Sequence, residues 1–283
     1  MDCPLSVELN GAWVEQFNQG PQPLTQINQP QIDDHVRTAS LLFQAALVLL
    51  LLFGAGCAAL NSSSEADIAS TWTQARIYLP RVSSYVRPAD VSVIQKLPTV
   101  VFLHGCTGLT AGNARWARTL TSAGYGVVAA DSFARSYRRS NCDPKTYLTG
   151  AFPAAGTMRQ EEIQYALKSL RAAPWADERN LFLMGHSEGG AAVASWQGGR
   201  FKAQIISGSR CRGGLLAPPR IPVLVIAFVH DPWDGNYHRT CAIWFGGRES
   251  ASEMLLPGSG HDTSQSHEAQ RAVLDFLRAH TSS

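Results

Sequence analysis

The sequence predicts an α/β domain in which helices cover both faces of a mostly parallel central sheet. Two observations predict this fold class. Several continuous apolar runs of strand length are bounded by Pro or Gly, as is typical of strands that are buried on both faces. Amphipathic or small-residue stretches of helix length separate these runs, so strands and helices alternate along the chain. With 283 residues, 45% of them hydrophobic, the chain can bury a large core.

The predicted elements start with an edge strand in residues 71–80, TWTQARIYLP, which has period-two character and ends at a proline. Further strands are predicted at 98–105, 124–133, 180–187, 203–209, 221–231 and 253–261. Helices are predicted at 112–122, 158–172, 189–197 and 267–280. The helix at 158–172 repeats apolar residues at helical spacing: Ile163, Ala166, Leu167 and Leu170. The predicted domain therefore covers residues 70–283, and its site should lie at the carboxyl ends of the parallel strands.

The first 60 residues differ in composition from the rest. Residues 1–36 are rich in Gln, Asn and Pro, which predicts a disordered segment or an upstream extension of the reading frame. Residues 37–60 hold a nearly charge-free apolar run that ends in small residues before Cys57. This stretch resembles a bacterial lipoprotein signal peptide; a retained membrane anchor, a plain signal peptide and a buried helix are the alternatives. A signal or an anchor predicts an exported protein of the periplasm or cell envelope, held at the membrane by the anchor or lipid.

Four cysteines follow this segment: Cys106, Cys142, Cys211 and Cys241. An even number in an oxidising compartment predicts two disulfides, with four unpaired buried thiols as the alternative. Without a Cys-x-x-Cys motif, we expect no metal. The formal net charge of +2 gives no basic surface for nucleic acid. The sequence carries no signal for oligomeric state.

Residues 181–194, LFLMGHSEGGAAVA, place Ser187 between glycines where an apolar strand gives way to a helix. Gly-x-Ser-x-Gly in this setting is typical of the nucleophile elbow, a strained turn that lifts the serine hydroxyl clear of the sheet. Glycines are needed there because neighbouring backbone comes too close for a Cβ. We therefore predict that Ser187 is a nucleophile; a plain glycine-rich turn is the alternative.

A nucleophilic serine needs a base and an acid, which follow it in the order acid, then histidine, in this type of fold. His261 lies in a glycine-rich loop before the last predicted helix and is the candidate base. Asp231 and Asp234 both follow the strand at 221–231. We favour Asp231 as the acid because it is closer to the strand end.

The oxyanion that forms on attack needs N–H donors. The candidates are the backbone amide of Glu188, directly after the serine, and that of Cys106, in the loop after the strand at 98–105. Three arginines follow the next strand: Arg135, Arg138 and Arg139. They could bind an anionic substrate, but a solvated loop is the favoured interpretation.

Together, four segments resemble the α/β-hydrolase superfamily and, within it, the dienelactone hydrolase-like group: VVFLHGCTGLT, GYGVVAADSFARSYRRSNC, PWADERNLFLMGHSEGGAAV and DPWDG. The resemblance covers roughly residues 70–280 and implies an α/β-hydrolase fold. It supports Asp231 as the acid, because DPWDG occupies the place of the group's acid turn. It also implies that Cys106 pairs with Cys142 and Cys211 with Cys241.

The predicted function is hydrolysis of a small-molecule carboxylic ester or lactone through an acyl-enzyme, with no cofactor. Ser187 would attack the acyl carbon, His261 would transfer the proton and Asp231 would orient the imidazole. Dienelactone hydrolases carry a cysteine at the elbow, so ester hydrolysis is the stronger expectation here. A peptidase or acyltransferase with the same triad is the alternative, because specificity lies in pocket residues that the sequence does not identify. A non-catalytic binding protein of this fold is the third interpretation.

Overall fold

The computed structural model describes residues 64–93, 95–150, 152–234 and 241–282. The expectations for residues 1–36 and 37–60, including lipidation at Cys57, lie outside the described residues. Within the described part of the chain, none of the helices has the length and apolarity needed to cross a bilayer.

Nine strands are described: β1 (Arg76–Tyr78), β2 (Leu97–Leu103), β3 (Gly126–Ala130), β4 (Cys142–Asp143), β5 (Leu148–Thr149), β6 (Ala176–His186), β7 (Ala203–Ser207), β8 (Val223–His230) and β9 (Ala251–Ser259). Seven of them form the central sheet in the order β1-β3-β2-β6-β7-β8-β9. All neighbouring strands in this sheet are parallel except β1, which runs antiparallel to β3 at the edge. β4 and β5 form a separate two-stranded hairpin.

The described α-helices are α1 (Glu65–Thr73), α2 (Ala111–Ser122), α3 (Ala155–Ala172), α4 (Glu188–Ala194) and α5 (His267–His280). Neighbouring strand residues point to opposite faces of the sheet. On one face, α2 and α5 pack against side chains such as Val100, Phe102 and Phe182. On the other, α3 and α4 pack against Val101, Leu103 and Leu183. A mostly parallel sheet covered by helices on both faces confirms the predicted α/β-hydrolase fold.

The start of the domain differs from the sequence prediction. The edge strand is only three residues long, because residues 71–73 complete helix α1. The Ser64 side chain accepts a hydrogen bond from the Asp67 amide and caps the start of α1. This cap favours a helix where the alternation over 71–80 predicted a strand. The β4–β5 hairpin was not predicted either, since two-residue strands are too short to show a period.

Candidate active site

The turn that carries Ser187 joins the carboxyl end of β6 to α4. Ser187 has φ 57° and ψ −118°, a positive-φ conformation that costs energy for any residue with a Cβ. Its amide donates to the Ser207 carbonyl of β7 at 2.8 Å, which ties the turn to the neighbouring strand. A Cβ at Gly189 would overlap the Leu103 carbonyl of β2, so only glycine allows α4 to approach the sheet this closely. The strain thus falls on Ser187, as the elbow motif predicted.

Asp231 and His261 meet above the ends of β8 and β9. Oδ2 of Asp231 lies 2.7 Å from Nδ1 of His261, and Oδ1 accepts a hydrogen bond from the Trp233 amide at 3.0 Å. Asp231 is only 6% exposed, so few solvent molecules compete for its carboxylate. This contact leaves Nε2 of His261 as the ring nitrogen available for proton transfer. The Asp234 side chain lies outside the described residues.

Ser187 and His261 both line one cavity of about 170 Å³. The described lining comes from five places: the loop after β2 with the start of α2, Pro144 of the hairpin, the elbow at His186 and Ser187, Trp233, and the His261 loop. The ring centroids of Trp233 and His261 are 5.5 Å apart, so Trp233 both lines the cavity and packs beside the imidazole. Among the described residues, no group of three or more His, Cys, Asp or Glu side chains is arranged to hold a metal ion.

A second histidine, His186, packs against His261 with ring centroids 4.7 Å apart. Its Nδ1 lies 3.0 Å from the Ser207 hydroxyl, which is itself 2.6 Å from the Thr263 hydroxyl. Burial and the positive charge of a protonated His261 lower the pKa of His186 to about 3. His186 is therefore neutral at physiological pH and supplies packing and hydrogen bonds rather than charge.

The loop after β2 lies directly against the nucleophile. A Cβ at Gly105 would be 3.1 Å from the Ser187 Cβ. The buried His104 ring holds this loop: Nε2 accepts from the Ser132 amide at 3.1 Å, and Nδ1 therefore donates to the Gly105 carbonyl at 2.7 Å. Burial and the neighbouring Arg159 keep the pKa of His104 well below its usual value. His104 thus acts as a neutral support for the loop.

Glu188, the residue after the nucleophile, is held by two arginines. Its carboxylate accepts hydrogen bonds from Arg159 at 3.1 Å and also from Arg138. Arg138 is buried, and its guanidinium lies over the rings of Phe133 and Phe152. The guanidinium of Arg138 therefore contacts the elbow residue Glu188 from the protein interior.

For Arg135 and Arg138, the expectation of a solvated loop and the alternative of binding an anionic substrate were both wrong. Arg135 and Arg138 are 2% and 4% exposed, respectively, so they neither lie in a solvated loop nor face a substrate. Arg135 pairs with Asp67 at 3.0 Å and with Glu161 at 2.6 Å. These two carboxylates, which are distant from Arg135 in sequence, offset the positive charge of its buried guanidinium. Arg139 is exposed.

Two disulfides are present, Cys106–Cys142 and Cys211–Cys241. They are the pairs that the resemblance implied. The first joins the loop after β2 to the β4–β5 hairpin, beside the cavity. The second joins the segment after β7, where Arg212 contacts the carbonyl of Trp233, to the chain that precedes β9. Each side of the site thus has one covalent tie.

Arg159 and Glu162 were missed as site residues by the sequence analysis. Both lie on α3 and are almost fully buried, at 0% and 1% exposure. A signal was present: Arg159 lies four residues before Ile163, on the apolar face of the predicted helix. A charge at such a position predicts a buried ionic contact.

No family model matches the chain, and no curated protein matches it. The search of solved structures found Est1E from Butyrivibrio proteoclasticus, with 14% identity and a TM-score of 0.49, over 73% of this chain and 93% of that one. It also found the esterase domain of a Rhodothermus marinus protein, with 19% identity and a TM-score of 0.46, over 72% and 90% of the two chains. XC6422 from Xanthomonas campestris, described as an α/β serine hydrolase without a lid, has 15% identity and a TM-score of 0.49, over 74% and 90%.

Proposed function

We propose that this chain is a serine hydrolase that cleaves small carboxylic esters. The observation that carries the proposal is the 2.7 Å contact between Asp231 and His261 beside the cavity that Ser187 also lines. A strained serine, an imidazole oriented by a buried carboxylate and a shared cavity are the parts that acyl transfer requires.

In the proposed reaction, the Ser187 hydroxyl attacks the acyl carbon while its proton passes to Nε2 of His261. The carbonyl π electrons move to oxygen, and the amides of Glu188 and Cys106 bind the resulting oxyanion. Collapse of this intermediate breaks the ester bond, and the alcohol leaves with the proton from His261. Water then attacks the acyl-enzyme in the same way, releasing the acid and free Ser187.

The size of the cavity supports a short acyl or alcohol group. Its volume of about 170 Å³ is below the roughly 300–1,000 Å³ of sites that hold drug-sized ligands. A lactone is a cyclic ester and undergoes the same reaction, so the substrate panel should include an unsaturated lactone alongside linear esters. The serine at the elbow favours the linear esters.

The test is labelling and turnover of the wild-type chain and Ser187→Ala. We expect a fluorophosphonate probe to label wild type at Ser187, and p-nitrophenyl acetate to be hydrolysed, with kcat about 10⁴–10⁶-fold lower in the variant. Peptide p-nitroanilides should remain uncleaved. Cleavage of the anilides would favour a peptidase, and acyl transfer to an added alcohol without hydrolysis would favour an acyltransferase. An unlabelled, inactive folded wild type would favour a binding protein.

We also propose that the protein is exported, with residues 1–36 as an extension, residues 37–60 as the signal or anchor and Cys57 as the lipid-bearing residue. Two disulfides support an oxidising compartment. The test is mass spectrometry of the N-terminus from the membrane fraction of a bacterial host. A lipid-modified Cys57 is expected; an unmodified N-terminus in the cytoplasmic fraction would contradict the proposal.

A further inference from the structure

Arg159 lies at the centre of a buried ionic cluster behind the elbow, and its described contacts engage every side-chain nitrogen. Nε and Nη2 each lie 3.1 Å from Oε1 of Glu188. Nη1 donates to Oε2 of Glu162 at 3.1 Å, and Nη2 donates to the His104 carbonyl at 2.8 Å. The side chain is 1% exposed and is not among the described residues that line the cavity. Arg159 therefore contacts the protein around the site rather than the space for substrate.

The groups that Arg159 joins belong to separate parts of the fold. Glu188 begins α4, whereas His104 follows β2 and lies two residues before Cys106. Under the proposed function, the amides of Glu188 and Cys106 are the two donors of the oxyanion hole. A single guanidinium thus bonds the carboxylate of one donor residue and the loop of the other. Because a guanidinium is planar with fixed N–H directions, these bonds restrict angle as well as distance.

The same contacts also offset the negative charge of Glu188. The carboxylate of Glu188 brings a negative charge next to the place where an oxyanion would form, and like charges repel. Arg159 and Arg138 both contact this carboxylate from the protein interior. Two cations within ion-pair distance offset its negative charge, and Glu188 is not among the described residues that line the cavity.

We propose that Arg159 is a positioning residue that aligns the two halves of the oxyanion hole. This inference rests on the proposed function, since it presupposes an oxyanion at this site. Because Arg159 does not line the described cavity, its loss should weaken binding of the transition state and leave binding of the substrate nearly unchanged.

The experiment compares Arg159→Lys with wild type on p-nitrophenyl acetate. Lysine keeps the charge but cannot make the same fork of bonds. We expect kcat to fall about 10–100-fold while KM stays within about threefold, since a misaligned donor costs less than the 10²–10³-fold of a deleted one. The Ki of phenylboronic acid, whose tetrahedral adduct with serine occupies an oxyanion hole, should rise by a similar factor.

Arg248→Lys is the matched control. Arg248 also donates to backbone carbonyls, those of Ala217 and Pro218, but at the amino end of β8, opposite the end that carries Asp231. A general loss of stability would affect both variants, whereas only Arg159→Lys should change kcat and the boronic acid Ki. Equal kcat losses in the two variants would overturn the inference.

Glu188→Gln provides a second test that does not depend on the folding of Arg159→Lys. The amide keeps the size of the side chain but loses the ion pairs, so kcat should fall about tenfold with KM unchanged. If the wild type is active and the folded variants at 159 and 188 keep their kcat, the positioning role is wrong and the proposed function stands. If the wild type neither hydrolyses esters nor labels at Ser187, the proposed function fails and this inference fails with it.

Discussion

The two sides of Ser187 are built in different ways. On the side of His261, one carboxylate contacts one imidazole at 2.7 Å, and aromatic rings fill the space beside them. On the side of Glu188, two arginines and two glutamates form a buried cluster in which a single guanidinium makes bonds in three directions. We refer to these as the acid–base side and the oxyanion side.

The difference follows from what each side has to do in the proposed reaction. A proton must leave and re-enter His261, so its ring needs one orienting contact and a free nitrogen. Oxyanion donors act best when they are already in place and do not reorganise during the reaction. Multiple ionic contacts restrict motion, and a single contact permits it. The chain therefore concentrates its buried ionic contacts on the side where movement would be harmful.

The largest expected effect comes from breaking the single contact of the acid–base side. Asp231→Asn should lower kcat about 10³–10⁴-fold, because the amide cannot stabilise a protonated His261 or fix its tautomer. Steady-state kinetics on p-nitrophenyl acetate measures this loss. Asp234→Asn, the alternative acid of the sequence analysis, is the control and should change kcat less than threefold. The reverse result would assign the acid to Asp234.

The disulfides test whether rigidity matters more on the oxyanion side. The loops they close span 36 and 30 residues, so removing either one should cost a similar 3–4 kcal/mol of unfolding free energy. Paired alanine substitutions at Cys106 and Cys142 should also lower kcat about tenfold, because the Cys106 amide is a proposed oxyanion donor. Substitutions at Cys211 and Cys241 should leave kcat within about twofold.

Urea unfolding and kinetics of both double variants, at a temperature where each is folded, give the two quantities. Equal changes in kcat would show that the two sides tolerate motion equally. That outcome would contradict the idea that the oxyanion side needs more rigidity than the acid–base side.

The smallest expected effect is on the pH dependence of unfolding free energy. It comes from two neutral histidines, His104 on the oxyanion side and His186 on the acid–base side. The folded pKa of His186, about 3, lies below its unfolded value of 6.5, so the folded state binds fewer protons between these pH values. Unfolding free energy should therefore fall as pH drops below 6.5, by up to about 1.4 kcal/mol per pH unit from His186 alone. The lowered pKa of His104 adds a slope of the same sign.

Urea unfolding at pH 7, 6 and 5 measures this dependence. His186→Asn should reduce the slope of unfolding free energy against pH. The part of the slope that comes from His104 should remain in this variant. His267→Asn, at an exposed position of α5, is the control and should retain the full slope. An unchanged slope in His186→Asn would show that His186 is protonated in the folded protein at these pH values.

The sequence was most informative where a local pattern has one physical solution. The boundaries of the helix at 267–280 were predicted to the residue, because its apolar face repeats regularly and Ser266 caps it. The inner strands of the central sheet were found because continuous apolar runs leave few alternatives. The serine, the histidine and Asp231 were chosen from a motif and from chain order, and the structure brings Asp231 and His261 into contact.

Long-range contacts account for what the sequence missed. Arg138 and Arg159 come from different segments of the chain and both contact Glu188, so no local pattern signals their shared role. The β4–β5 hairpin is too short to show a period, yet it reaches the cavity through Pro144.

The sequence by itself determined the order of the inner strands and of the helices between them, the strained serine turn and the residue types available for proton transfer, because these depend on backbone preference and hydrophobic period. Only the tertiary structure decided which charges are buried and what compensates them. The free energy of a buried ion depends on partners that arrive from distant parts of the chain, and their distances do not exist until the sheet has formed.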